Sequence, residues 1–290
     1  MWVRMDIVIN LIINGLATGM LLFLLAAGLT LIFGLMHVLN FAHGGLFVWG
    51  AYAGVWLYLW TGSFAAGLLG ACSAGLLLGF VMERLIIRPV YGDPTRQILI
   101  TLGVMLVLSE LVKVFWGSNQ ISVPPLDFLE GSWRIGEIVL IKYRVFVITA
   151  GVLIFALLQG LLKKTRVGLI IRAGAIHREM VESLGINVKR YFLLVFMLGA
   201  ALAALAGVLF APYSGAIYAE MGMEYAILAF IVVVVGGLGS VSGSALAALM
   251  VGLASAFMNY FLPDAALAVN MLLMAAVLLF KPSGLFGARG

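Results

Sequence analysis

The chain has 290 residues, 64% of them hydrophobic and only 10% charged, with a mean hydropathy of +1.19. A soluble domain carries about 25% charged residues, so a water-facing surface over the whole chain is excluded. The net charge of +5 is distributed as membrane topology, described below, and does not point to nucleic-acid binding.

Residues 7–82, 191–219 and 225–263 contain no Asp, Glu, Lys or Arg. A membrane-crossing helix takes roughly 20 apolar residues, and backbone in hydrocarbon is restricted to helices or closed barrels. The apolar runs are continuous, without the alternation of a barrel strand. The expected fold is therefore all-α: a polytopic helical membrane protein with roughly eight to nine spans, some broken by glycine, in one transmembrane domain over 1–290.

In chain order, turn residues and charges place spans near 7–33, 44–60, 64–87, 97–116, 144–162, 191–211, 225–236, 243–261 and 265–280. The first is read as an uncleaved span, because Met1–Asp6 has no net positive charge and the apolar run continues past any cleavage point. Cys72 lies in an apolar helix with no partner cysteine and reads as a packed small residue. The connections 84–96, 163–190 and 281–289 hold three, seven and two Lys/Arg, which is 12 of the 17. The positive-inside rule makes these connections and the C-terminus cytoplasmic and, by span counting, the N-terminus external.

Two polar breaks interrupt the apolar helices. The first falls within 34–45, at Asn40, His43, Gly44 and Gly45, with His37 read as a boundary residue. The second is Gly236-Gly237-Leu238-Gly239-Ser240, leading into Ser242 and Gly243. Paired glycine-interrupted segments mark the translocation site of many transporters, and an intramembrane polar residue faces the bundle interior. Tight helix packing through small residues explains the second break equally well. Asn40, His43, Gly44, Gly45, Gly236, Gly237, Gly239 and Ser240 are the candidate path-lining residues.

Catalytic motifs do not survive inspection. Gly239–Gly243 matches G-x-S-x-G by letter, but no histidine follows His177 to complete a triad in the required order. Three histidines without clustered carboxylates make no metal site, and no P-loop occurs to cradle nucleotide phosphates. The expectation is a non-enzymatic protein.

Residues 163–190 (KKTRVGLIIRAGAIHREMVESLGINVKR) exceed the two to eight residues that a plain helix connection needs. Ile170, Ile171, Ala175, Met180 and Leu184 form an amphipathic stripe that ends at Gly185, a helix-stop glycine. Such a segment lies on a membrane surface or docks on a partner; Glu179 and Glu182 among the cations favour the partner.

Four segments carry a family resemblance: Leu35–Tyr52 (LMHVLNFAHGGLFVWGAY), Thr165–Arg190 with LGIN at 184–187, Ile231–Gly243 (IVVVVGGLGSVSG), and KPSGLFG at 281–287. Together they make the chain similar, over nearly its whole length, to the LivH subunit family, the inner-membrane permeases of branched-chain amino acid ABC importers. The resemblance implies a half-pore paired with a second, LivM-like permease. It also implies two cytoplasmic ATPase subunits below and a periplasmic solute-binding protein above. No cofactor would be bound by this chain, ATP being held on the partner subunits. A cytoplasmic helix matching Arg172–Gly185, with Arg172, Arg178, Glu179, Glu182 and Gly185, would transmit ATPase closure. Family members often carry Glu where this chain has Gly45. That difference extends the expected solutes from branched-chain or hydrophobic amino acids to related small carboxylates or amides. The alternative reading is an ATP-independent secondary transporter or channel; such proteins place ionisable groups in mid-span, and here only His43 qualifies.

Overall fold

A computed structural model of the chain describes residues 5–136 and 138–287, with the side chains of Ile135, Ile138 and Arg178 excepted. Arg4, Glu137 and Arg289, which enter the charge count, lie outside the described residues. Eleven α-helices occur among them: α1 Met5–Met36, α2 His43–Thr61, α3 Phe64–Val81, α4 Pro94–Trp116, α5 Lys142–Lys164, α6 Arg166–Ile176, α7 Arg178–Ser183, α8 Val188–Ser214, α9 Met221–Gly236, α10 Val241–Phe261 and α11 Ala266–Phe280. All nine predicted spans coincide with a helix to within a few residues. Among the described residues, seven helical segments are long and apolar enough to cross a membrane. Two expected spans fall short of that measure: α2 has 19 residues rich in aromatics and glycine, and α9 has 16, about 24 Å at 1.5 Å per residue.

α1 is the axis of the molecule. Its 32 residues span about 48 Å, and Leu21–Ile32 is enclosed almost without interruption because α10, α8, α5 and α9 pack around it. A helix apolar on every side has no solvent face to offer, so burial on every side is its stable placement. Outer helices instead leave large apolar residues exposed, as Leu106, Val107 and Val114 do on α4; hydrocarbon or a partner subunit covers such faces.

Helix directions follow from close approaches. Gly15 meets Leu253 while Gly34 meets Gly239, so α1 and α10 run antiparallel. One end of the bundle gathers His37, Gly92 and Gly174 around a common cleft, together with the cationic connections 84–96 and 163–190. The opposite end carries Lys113 Nζ paired to Glu220 at 2.8 Å. It also carries two small antiparallel pairs, β1 (Ile121–Ser122) with β4 (Ala216–Ile217), and β2 (Ser132–Ile135) with β3 (Ile138–Ile141).

Glycine sets the distance between inner helices. A Cβ at Gly50 would stand 2.1 Å from Ala204 Cα on α8, and one at Gly44 would stand 2.0 Å from the Gly222 carbonyl oxygen on α9. Neither backbone neighbour can yield without separating the helices. Gly103 on α4 has no neighbour within 4 Å of such an atom. Gly50→Val is expected to destabilise the protein by about 1–3 kcal/mol through overpacking, whereas Gly103→Ala should be neutral or stabilising by up to about 1 kcal/mol. Thermal unfolding in detergent micelles checks both.

Candidate functional site

The first break begins where α1 ends. His37 adopts φ +53°, uncommon for a residue with a side chain, and turns the chain out of the helix. Asn40 then builds the start of α2: its Oδ1 accepts from the Ala42 amide at 3.1 Å, and its carbonyl accepts from the His43 amide at 3.2 Å. This Asx turn, with the Phe41 amide donating to Thr101 Oγ1 at 3.3 Å, satisfies backbone that hydrocarbon would leave unpaired. The break thus spans His37–Ala42, and His43, Gly44 and Gly45 correct the sequence reading by forming the first turn of α2. Asn40 nucleates the helix ahead of them. Gly44 faces Gly222 of α9, and Gly45 faces Leu108 and Met105 of α4, so both serve close packing inside the chain.

The turn folds the chain back on itself, and His43 is set beside the middle of α1. Its Nε2 donates to the Leu25 carbonyl at 3.0 Å. A carbonyl only accepts, so Nε2 carries the hydrogen; burial without a counter-ion disfavours the charged ring, and the neutral ring presents a bare Nδ1. Asn40 and His43 are each 2% exposed. Among the described residues Asn40 Nδ2 and His43 Nδ1 have no hydrogen-bond partner, and both residues line one small cavity. Its other walls are Leu29, Leu39, Phe41, Ala226, Ala229 and Phe230, and its volume of about 10 Å³ holds a single water at most. Phe41 and Phe230 stack at 5.9 Å beside it.

The second break is closed by a segment remote in sequence. The Leu285 amide donates to the Val235 carbonyl at 2.8 Å and the Phe286 amide to the Gly236 carbonyl at 3.0 Å, so residues 281–287 complete the hydrogen bonding at the end of α9. Gly237 has φ +101°, and a Cβ there would meet the Gly287 nitrogen at 2.4 Å. Gly236 packs on Gly243. Ser240 caps α10, its Oγ accepting from the Gly243 amide at 3.1 Å. Of the four residues predicted here, Gly239 and Ser240 line a cavity. It is a cleft of about 370 Å³ shared with Thr30 and Gly34 of α1, Gln159 and Lys163 of α5, and Arg172 of α6.

The loop 163–190 contains two helices where the sequence suggests one stripe. Thr165 Oγ1 caps α6 by accepting from the Gly168 amide at 3.0 Å, and His177, at φ −141° and ψ 80°, separates α6 from α7. That interruption changes which residues face inward: Ile171 and Val181 are buried, while Leu169, Ile176, Met180 and Leu184 are exposed. Gly185 stops the segment at φ +79°. Glu179 and Glu182 are exposed on α7, and the Arg178 side chain lies outside the described residues.

Comparison with known proteins decides the family. The model for the branched-chain amino acid transport system permease component matches residues 11–281. The chain belongs to this permease family. It is 31% identical to the high-affinity branched-chain amino acid transport system permease protein LivH of Escherichia coli K12, over 94% of each chain. It is also 30% identical to LivM of the same organism, covering 92% of this chain and 68% of LivM. A structure titled PsaBC from Streptococcus pneumoniae in complex with Fab shares the fold, with a TM-score of 0.52 and 16% identity, covering 92% of this chain and 89% of that one. The permease is a multi-pass membrane transport subunit, and the resemblance to the LivH family stands.

Two features of the permease escaped sequence reading. Tyr213 on α8 donates to Asn14 Oδ1 and lies 2.8 Å from Thr18 Oγ1, both on α1; Asn270 on α11 donates to Ser255 on α10 at 2.8 Å. Single polar residues scattered through apolar runs carry no periodic signal. At the same end, Lys113 holds the Glu220 carboxyl below the usual carboxylate range through their hydrogen bond. Burial, with Glu224 accepting from its hydroxyl, pushes Tyr218 up to about 12.

Because Gly237 faces the 281–287 segment, Gly237→Leu is expected to dislodge that segment and lower the yield of folded permease. Gel filtration and thermal unfolding would check this; an unchanged elution profile and unfolding temperature would show that the contact is dispensable.

Proposed function

We propose that the permease is one half of the membrane pore of an ATP-driven importer of branched-chain or other hydrophobic amino acids. In this reading it crosses the membrane nine times, with α2 and α9 as short embedded helices and the cationic end and C-terminus in the cytoplasm. It pairs with a second, LivM-like permease. Two ATPase subunits, which hold the ATP, dock beneath α6 and α7, and a solute-binding protein delivers cargo at the opposite face.

One observation carries the reading. Arg172 of α6 and Gly239–Ser240 of the second break line the same cleft, so displacement of α6 bears directly on the joint between α9 and α10. The exposed Leu169, Ile176, Met180 and Leu184 set among cations give a partner a mixed apolar and charged surface, the composition of protein interfaces. α9 then connects the two breaks, since Ala226, Ala229 and Phe230 wall the cavity at Asn40 and His43.

The same cavity supports the solute class. Asn40 Nδ2 is a free donor and His43 Nδ1 a free acceptor, among apolar walls. A zwitterion fits that pair, its carboxylate accepting from Asn40 and its ammonium donating to His43, once the Phe41–Phe230 stack parts. Alternating access is the mechanism: ATPase closure moves α6–α7, shifts α9 and opens the stack.

Two outcomes are expected in proteoliposomes holding the assembled importer. Arg172→Glu with Arg178→Glu lowers solute taken up per ATP hydrolysed at least ten-fold, by isotope uptake against phosphate release; a wild-type ratio would refute coupling through α6–α7. His43→Phe lowers leucine uptake at least ten-fold while ATP hydrolysis persists; undiminished uptake would remove His43 from the path.

A further inference from the structure

α3 does not end as an α-helix. It continues through a π-helical turn, Met82–Ile87, and a short 3₁₀ turn, Arg88–Val90. π turns are rare and re-aim side chains. Here Arg84 and Arg88, four residues apart, face a cleft whose other wall is the start of α8, with Asn187, Lys189 and Arg190; its volume is about 200 Å³. Among the described residues none of these four cations forms an ion pair. Glu83 also lines the cleft, but it is buried and its Oε1 accepts from the Tyr91 hydroxyl. The Asn187 side-chain oxygen is occupied as the α8 cap, accepting from the Arg190 amide at 3.4 Å.

An excess of cations at one membrane edge is ordinary; four cations converging on one cleft, none ion-paired among the described residues and with the buried Glu83 the one acid in its lining, are not. The surroundings indicate what supplies the negative charge. Phe80 and Val81 on α3, Leu85 in the π turn, and Leu194 and Leu198 on α8 are exposed apolar residues adjoining the cleft in sequence. The Arg84 guanidinium lies 5.8 Å from the centre of the Phe80 ring, so the exposed cation stands beside an exposed apolar side chain. Phosphate bound here would have acyl chains beside Leu85 and Leu194, where hydrocarbon is already required.

We propose that this cleft binds the phosphodiester headgroup of an anionic phospholipid at the membrane edge, independently of the transported solute. Basic pockets between membrane helices recognise such headgroups, and bidentate guanidinium contacts suit phosphate oxygens.

The test uses the full-length permease, with whatever subunits co-purify, in detergent micelles titrated with phosphatidylglycerol and read by native mass spectrometry. Wild type is expected to retain phosphatidylglycerol in preference to phosphatidylcholine, and the Arg84, Arg88, Lys189 and Arg190→Gln quadruple variant to lose at least ten-fold in affinity. Single Arg88→Gln and Lys189→Gln variants, each expected to lose about five-fold, keep the test decisive if the quadruple variant misfolds. Lys163→Gln with Lys164→Gln, removing charge elsewhere at the same end, should change affinity less than two-fold. An equal loss in that control, or full competition by inorganic phosphate at equal concentration, would overturn the assignment. So would loss of a co-purifying subunit from the cleft variants with lipid affinity unchanged, since the cleft would then dock protein.

Discussion

Hydrocarbon offers no partner to a backbone amide or carbonyl, and the permease is organised around that constraint. At both helix interruptions described above, specific groups of the chain take up freed backbone hydrogen bonds. At the first interruption the Asn40 side chain and Thr101 do so; at the second, residues 285 and 286 do. A broken helix without such partners would expose several unsatisfied groups at a cost of several kcal/mol each. The polar breaks are affordable only because each is enclosed by protein.

Close glycine contacts are the second half of this design. Gly44 on Gly222, Gly50 on Ala204 and Gly236 on Gly243 bring backbones together where lipid supplies no hydrophobic drive for helix association. With Gly28 on Gly199 and Gly15 on Leu253, these contacts bind α1, α2, α8, α9 and α10 into one inner group, while α4, α5 and α11 present broad apolar faces outward. Within the inner group, α9 meets the small cavity near its middle and the glycine joint at its end. Its short length leaves it without long flanking segments at the membrane edge to anchor it.

The fold was legible from the sequence because charge-free runs and turn residues are local signals. Asp93 before Pro94 and Gly62 after Thr61 mark helix ends through their own chemistry, the Asp93 side chain accepting from Arg96 N and Gly62 adopting φ +68°. The candidate site was only half legible. Asn40 and His43 stood out as polar groups in an apolar run, yet the glycines beside them read as part of the break because sequence cannot separate flexibility from close approach. The role of 281–287 was hidden for a different reason: its hydrogen bonds reach back to Val235 and Gly236 across two intervening helices. The interruption at His177 has no glycine or proline to announce it, so α6 and α7 read as one stripe. The π turn after α3 likewise leaves no compositional trace.

The bond from Leu285 to Val235 also imposes an order of events on biogenesis. When the end of α9 is synthesised, the segment that will complete it has not been made, and some 50 residues must still be added. At 5–20 residues per second that interval lasts roughly 3–10 s. Throughout it, the carbonyls of Val235 and Gly236 depend on water, lipid headgroups or the translocon itself. Until residues 285 and 286 follow α11, the inner joint of the nascent permease has no latch.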